Sequence, residues 1–235
     1  MEFSVVIPVL NEAESLSPLQ KELQEVMQQM RCEYEIVYVD DASSDSSLEV
    51  LKGLAEQYER IRVVSFNKNR GQSAALAAGF NVSRGEWIIT LDSDGQNPPS
   101  EIVKLIEFKD KFDFVTGVRK NRQDSFNRKI ASSVAKFFRW LTLGDISQDT
   151  GCSLRLFKKE ILNSLPLFDH FHRFFNLLVR SKGFSIKEVA VNHRGRLFGV
   201  SKYSTTKRML SGIFDLWGVV WFKKRLIKYE VKYQR

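Results

Sequence analysis

Asp92-Ser93-Asp94-Gly95-Gln96 carries the residue types that most clearly could do chemistry. Two carboxylates two positions apart leave an extended segment on the same side. Gly95 permits a sharp turn, and Pro98-Pro99 stops the strand and opens a helix. Oxygen donors gathered at the carboxyl end of a strand suit a hard divalent cation that holds a diphosphate. The bland reading of the same residues is a solvated turn after a core strand. The residues just before, Trp87-Ile88-Ile89-Thr90-Leu91, form a short apolar run of the kind found in buried parallel strands.

Positioning such a turn requires a sheet, and the chain supplies one. Phe3 to Leu10 reads as a first strand, followed by Asn11-Glu12 and a helix from about Ser15 to Met30 with Leu16, Leu19, Leu23, Val26 and Met30 on one face. Glu35 to Val39 is a second strand and ends in Asp40-Asp41. A second helix carries Leu48, Leu51 and Leu54. Ile61 to Phe66 is a third strand. Asn69-Arg70-Gly71 leads into a small-residue helix, Ser73 to Val82, able to approach a sheet closely. Trp87 to Leu91 is the fourth strand, Ile102 to Phe108 is helical, and Phe112 to Val118 is the fifth strand. Strands alternating with helices predict an α/β fold with a mostly parallel sheet and right-handed crossovers. Ligands of such sheets bind beyond the carboxyl ends of the strands. Asn11-Glu12, Asp40-Asp41 and Asp92-Ser93-Asp94 would meet along that edge.

Composition narrows the function. The 235 residues allow one large domain or a domain with an appendage, and 43% apolar residues are ample for a core. Cys32 and Cys152 form no disulfide framework and no metal spacing, which favours a reducing compartment. A strand starting at Phe3 leaves no room for a signal peptide, and Leu216 to Phe222 is far short of the roughly 18 apolar residues of a membrane span. The formal charge of +8 points to an anionic partner: nucleotide, nucleic acid or acidic lipid surface. There is no G-x-G-x-x-G and no G-x-x-x-x-G-K-[ST], which counts against dinucleotide oxidoreductases and P-loop enzymes. A nucleic-acid-binding protein would show clustered basic motifs, and the acidic strand ends would repel phosphate unless metal were bound.

Four motifs in order carry a resemblance: Ile7-Pro8-x-x-Asn11-Glu12, Val39-Asp40-Asp41-x-Ser43-x-Asp45, Asn69-x-Gly71 and Asp92-x-Asp94-x-Gln96-x-Pro98-Pro99. They resemble the inverting family 2 glycosyltransferases of GT-A fold, over roughly Phe3 to Lys202. Gln96-Asn97-Pro98-Pro99 is most similar to the branch that makes dolichyl- or polyprenyl-phosphate sugars. Gly117-x-Arg119 and His193 to Tyr203 look like further segments of that branch, the latter its R-x-x-G-x-S-K loop. Asp149 to Phe157 looks like its D-x-x-S-G-F-R-L-[FY] segment, with the departure that Gly151-Cys152-Ser153 replaces Ser-Gly-Phe.

The resemblance implies a catalytic domain over 1–202, including an amphipathic helix at about 125–143, and a C-terminal helix with a basic tail over 203–235. It implies Asp94 and Gln96 as ligands of Mg2+ or Mn2+, with Asp92 against the ribose or in the metal shell. Asp40 would accept a base N–H, while Pro8, Leu10 and Glu12 shape the nucleotide pocket. The bland alternative for Asp41 or Asp45, read from the residues alone, is an acidic cap on the following helix. Arg119, Arg128, Arg194, Arg196 and Lys202 are candidates for phosphate contacts, because a guanidinium offers a planar charged fork. Asp149 is the base if the acceptor is a hydroxyl. His170 and His172 read as ordinary surface or interface residues, and His193 as a brace for its loop.

Two apolar stripes bear on the acceptor. Phe126, Ile130, Val134, Phe137 and Leu141 form one, and Leu210, Ile213, Phe214, Trp217, Val220 and Trp221 the other. Arg128, Lys129, Lys136 and Arg139 flank the first, and Lys223, Lys224, Arg225, Lys228 and Lys232 follow the second. Such helices either pack on a core or lie in a membrane interface. With the resemblance, the expectation is a monotopic enzyme on the cytoplasmic face of a membrane. It would move a sugar from a UDP- or GDP-sugar to a polyprenyl phosphate, with inversion. The alternatives are a transferase with a glycan or protein hydroxyl acceptor, and a nucleotide-sugar-binding protein without catalysis.

Overall fold

The computed structural model describes residues 1–120, 136, 138–195 and 205–225, with the backbone alone given for 205–213. They fall into two compact units: 1–123 with 147–200, and 124–146 with 201–235.

The first unit is built on a seven-stranded sheet of order β3-β2-β1-β4-β6-β5-β7. Its strands are β1 (Phe3–Val9), β2 (Tyr34–Asp40), β3 (Ile61–Ser65), β4 (Trp87–Thr90), β5 (Phe114–Arg119), β6 (Arg155–Lys158) and β7 (Ile186–Val191). Neighbouring strands are parallel except along β6, which runs antiparallel between β4 and β5. In the register, Val9 faces Asp40, Asp40 faces Ser65 and Val6 faces Thr90. Thr90 and Thr116 both face Arg155. The start of β6 thus lies at the edge where the parallel strands end, and this places 149–155 beside the acidic turns. β6, β7 and α6 were not read from the sequence.

Helices cover both faces. α1 (Ala13–Gln29) buries Leu16, Leu19, Leu23 and Met27, spaced by three and four residues. It starts two residues before the expected Ser15 and takes in Pro18, which leaves the Glu14 carbonyl without that helical N–H. α2 (Ser47–Gln57) buries Leu51 and Leu54. α3 (Gln72–Val82) packs Gly79 against Val6 and Val39, where a Cβ would collide, so its small residues do set a close helix–sheet approach. α4 (Ile102–Ile106) follows a 3-10 turn that Pro99 opens. Phe80 of α3 and Phe175 of α6 (Phe175–Ser181) join Phe114, Phe157 and Phe171 in a cluster with ring centroids 5.1–6.3 Å apart. Offset and edge-on rings of this kind add to plain area burial. Phe171 fixes the neighbouring His172 through this cluster.

In the second unit, α5 (helical at 138–143) carries exposed Phe138, Trp140 and Leu141, and α7 (Thr205–Lys224) carries exposed Phe214, Trp217 and Trp221. Leu143 and Val219 are buried, and the Lys223 ammonium donates to the Leu143 carbonyl. Among the described residues no helix is long and apolar enough to cross a membrane.

Candidate active site

The carboxyl edge is laced by short polar contacts. The Asn11 N–H donates to Ser43 Oγ at 2.9 Å, and the Ser44 N–H donates to Asn11 Oδ1 at 2.6 Å. The Glu12 N–H donates to Ser47 Oγ, which joins the end of β1 to the start of α2. Asn11 and Ala42 both adopt positive φ, at 50° and 57°. Left-handed backbone is costly for a residue with a Cβ, and it persists here because the surrounding contacts fix the turn. Pro8 and Leu10 are half-buried and Glu12 is buried at the end of β1.

Asp40 is buried at the end of β2. Its Oδ1 takes the Ser43 N–H at 3.2 Å and its Oδ2 takes the Ser65 hydroxyl at 2.9 Å. Asp41 does not cap α2. Its two oxygens take the N–H groups of Arg70 and Gly71 at 2.6 and 2.8 Å, so it holds the loop that opens α3. Asp45 serves α2 instead, accepting the Ser47 N–H at 2.9 Å.

Asp92 and Asp94 follow β4 on one turn, with Gly95 at φ 69°, a value that suits glycine. Asp94 is buried and its Oδ1 accepts the Gln96 N–H at 3.0 Å. Asp92 Oδ1 accepts from Gln72 Nε2 at 2.9 Å. Burial first, and then the charge of Asp94, push the Asp92 carboxyl up to about 6. Two carboxylates that repel each other, with Gln96 two positions further along the chain, offer hard oxygen donors whose repulsion a divalent cation would relieve. The residues present therefore fit Mg2+ or Mn2+.

Around this turn stand braces that the sequence reading missed. Ser153 Oγ accepts from the Asp92 N–H at 3.2 Å and from Asn97 Nδ2 at 2.9 Å, and the Ser153 carbonyl accepts the Thr90 hydroxyl at 2.5 Å. The departure at Gly151-Cys152-Ser153 thus supplies a hydroxyl that holds the acidic turn. Ser15 Oγ donates to the Ser93 carbonyl at 2.7 Å. Arg194, a phosphate candidate, is engaged elsewhere: its Nε donates to the Gly95 carbonyl at 2.5 Å and its Nη2 to Glu22 at 2.9 and 3.1 Å. His172 is no ordinary surface residue, because its Nδ1 lies 2.8 Å from Ser73 Oγ and its carbonyl accepts from Arg155 at 3.0 Å.

Asp149 and Arg119 form a closed pair. Arg119 Nε meets Asp149 Oδ2 at 2.7 Å and Nη2 meets Oδ1 at 2.8 Å. The Gly151 N–H adds a bond to Oδ1 at 3.0 Å, and a Cβ at Gly151 would run into the guanidinium. Burial alone would raise the Asp149 carboxyl, but the Arg119 hydrogen bonds and charge outweigh it and hold the group below the ordinary carboxylate range. Arg155 is buried close by, with its Nη2 on the Thr150 and His172 carbonyls. Arg128, Arg196 and Lys202 lie outside the described residues, as do Phe126, Ile130, Val134, Phe137, Lys228, Lys232 and the side chains of Leu210 and Ile213.

The fold is shared with solved glycosyltransferases of GT-A fold. Mannosyl-3-phosphoglycerate synthase from Rubrobacter xylanophilus superposes with a TM-score of 0.72 at 13% identity, over 100% of this chain and 79% of that one. Glucosyl-3-phosphoglycerate synthase from Mycobacterium tuberculosis, solved with Mn2+, uridine diphosphate and phosphoglyceric acid, gives 0.69 at 16% identity, over 97% and 80%. In sequence, the undecaprenyl-phosphate 4-deoxy-4-formamido-L-arabinose transferases of Edwardsiella ictaluri and Serratia proteamaculans are each 40% identical over 215 residues, which is 91% of this chain. The chain spans 66% of the length of those two relatives. The model described as glycosyl transferase family 2 matches residues 4–165. Sequence motifs, fold and relatives agree, and the chain belongs to glycosyl transferase family 2.

Proposed function

We propose that this protein transfers a sugar from a nucleoside-diphosphate donor, a UDP- or GDP-sugar, to a polyprenyl phosphate, with inversion at the anomeric carbon. The observation that carries the reading is the 40% identity to undecaprenyl-phosphate sugar transferases across 91% of the chain. The site agrees with it. Asp94 and Gln96 would hold Mg2+ or Mn2+ with Asp92 beside them, and the charge of such a cation would offset that of a diphosphate leaving group. Asp40 receives the base, with Pro8, Leu10 and Glu12 around the nucleotide. Arg128, Arg196 and Lys202 would contact phosphate oxygens.

Asp149 bears on the acceptor. A hydroxyl must lose its proton during attack and needs a base. A carboxylate held ionised by a two-toothed arginine is a poor one. A phosphate monoester has a second pKa near about 6 and is already largely ionised at pH 7, so it needs positioning and charge balance only. Attack by a phosphate oxygen on the anomeric carbon, with departure of the nucleoside diphosphate from the opposite face, then requires no proton transfer. The exposed aromatics of α7, with Phe214 77%, Trp217 72% and Trp221 61% accessible and Lys223, Lys224 and Arg225 after them, suit a helix lying in a membrane interface. The protein would attach peripherally to the cytoplasmic face, where the lipid phosphate is presented.

The test is a donor panel of UDP- and GDP-sugars with undecaprenyl phosphate in anionic vesicles and Mg2+ or Mn2+, read as radiolabel entering the lipid phase. Metal-dependent transfer to the lipid is expected. Transfer to a glycan hydroxyl and none to lipid phosphate would overturn the reading.

A further inference from the structure

We infer that Gln72 is the positioning residue for Asp92, a neutral donor that aims the carboxylate at a divalent cation without cancelling its charge. This rests on the reading of Asp92, Asp94 and Gln96 as the cation's oxygen donors. A carboxylate that gives one oxygen to a metal needs its other oxygen held, and such outer partners matter nearly as much as the ligands. Gln72 Nε2 stands 2.9 Å from Asp92 Oδ1. An ionised carboxylate only accepts, so the amide nitrogen must face it, and the contact has a single sense.

The residues on both sides of Gln72 are anchored. Before it, Gly71 sits at φ 87°, and the Arg70 and Gly71 N–H groups end on the two oxygens of Asp41. Asn69 Nδ2 adds a bond to the Asp41 carbonyl at 3.3 Å. After it, Ser73 Oγ lies 2.8 Å from His172 Nδ1, and the His172 carbonyl is held by Arg155 at the start of β6. The first turn of α3 therefore joins the ends of β2, β4 and β6, and the one side chain it extends to the acidic turn is Gln72. Contrast the partner of Asp149: Arg119 supplies a positive charge, and a cation has nothing to gain there. A lysine or arginine in place of Gln72 would do the same to Asp92. Glutamine orients and leaves the negative charge in place.

The experiment measures Mn2+ affinity of the full chain by electron paramagnetic resonance of free Mn2+, with uridine diphosphate as the probe nucleotide. Gln72→Leu keeps similar bulk and removes the donor. Mn2+ affinity is expected to fall about tenfold, at the lower end of the range for outer-sphere partners, while metal-free affinity for uridine diphosphate stays within twofold. Unchanged Mn2+ affinity, or an equal fall in both affinities, overturns the role. If Gln72→Leu fails to fold by circular dichroism, Gln72→Asn serves, since the amide is withdrawn by one methylene: the same tenfold loss supports the proposal and a change under twofold overturns it. A parent protein that binds no Mn2+ overturns the metal reading and this proposal together, whereas a parent that binds Mn2+ beside an unaffected variant overturns only the role of Gln72.

Discussion

Asp92 with Asp94, and Asp149 with Arg119, stand on the same edge of one sheet and treat negative charge in opposite ways. In the first pair like charges crowd together, and burial plus Asp94 lift the Asp92 carboxyl to about 6. In the second an arginine closes on the carboxylate with two bonds of 2.7 and 2.8 Å and keeps it ionised. The first arrangement is costly in the free protein and gains from a cation. The second is balanced in charge and ties the end of β5 to the segment before β6. An acidic residue at a strand end is therefore not in itself a metal ligand or a base. Its role follows from the charge of its neighbour.

Breaking the first pair should produce the largest effect, and on function alone. Asp94→Asn removes a ligand charge but keeps the shape and relieves the repulsion on Asp92. Turnover should fall by about a thousandfold or more, the scale of losing one preorganised electrostatic group, about 4 kcal/mol. Thermal stability should hold or rise. Assay of transfer beside a melting curve checks both, and retained activity with unchanged metal dependence would remove Asp94 from the metal site.

Breaking the second pair should damage the fold. Arg119→Met leaves Asp149 buried without its cation, a situation that typically costs about 3–5 kcal/mol. The double variant Arg119→Met/Asp149→Leu should recover most of that loss, because two apolar groups of similar size need no partner. Urea unfolding of both variants gives the cycle. If the single variant is as stable as the parent, Arg119 is not structural and returns as a free phosphate ligand.

The parallel half of this edge was legible in the sequence and the antiparallel part was not. β1 to β5 announce themselves by apolar runs, three of which (β1, β2 and β4) end abruptly in Asn11-Glu12, Asp40-Asp41 and Asp92-Ser93-Asp94, and the structure brings those three ends together as expected. β6 has four residues, one of them the buried Arg155, so no apolar period marks it. β7 is only partly buried at most of its positions and gives no clean alternation. Among site residues, Asp40, Asp92, Asp94 and Gln96 carried motif signals. Gln72 and Ser153 did not, because their importance lies in contacts 20 and 61 residues away along the chain. The H-x-H spacing of His170 and His172 signals nothing by itself. Only the cluster around Phe171 brings His172 to Ser73.

The smallest effect concerns pH, and there the two pairs separate cleanly. Asp92 has its carboxyl raised to about 6 in the folded protein, above the ordinary aspartate value near about 3.9. Its ionisation thus works against the fold: the penalty is full above about pH 6 and fades as pH falls from there toward the ordinary value near about 3.9. Cation binding reverses the balance, since the cation requires the ionised form and must displace the proton at lower pH. Mn2+ affinity should accordingly be flat above about pH 6 and fall about tenfold per pH unit below it. Asp149 has its carboxyl lowered, so its stabilising pair with Arg119 is fully present above the ordinary aspartate value and is lost only as pH drops through its own depressed one. Between pH 7 and pH 5 the metal-free protein should therefore lose no stability from Asp149 while Mn2+ affinity declines. Titrating Mn2+ across that range beside metal-free melting curves measures both. An affinity that stays level to pH 5 would show that no proton competes at Asp92, and a melting temperature that falls in step with affinity would place the sensitive group in the Asp149–Arg119 pair instead.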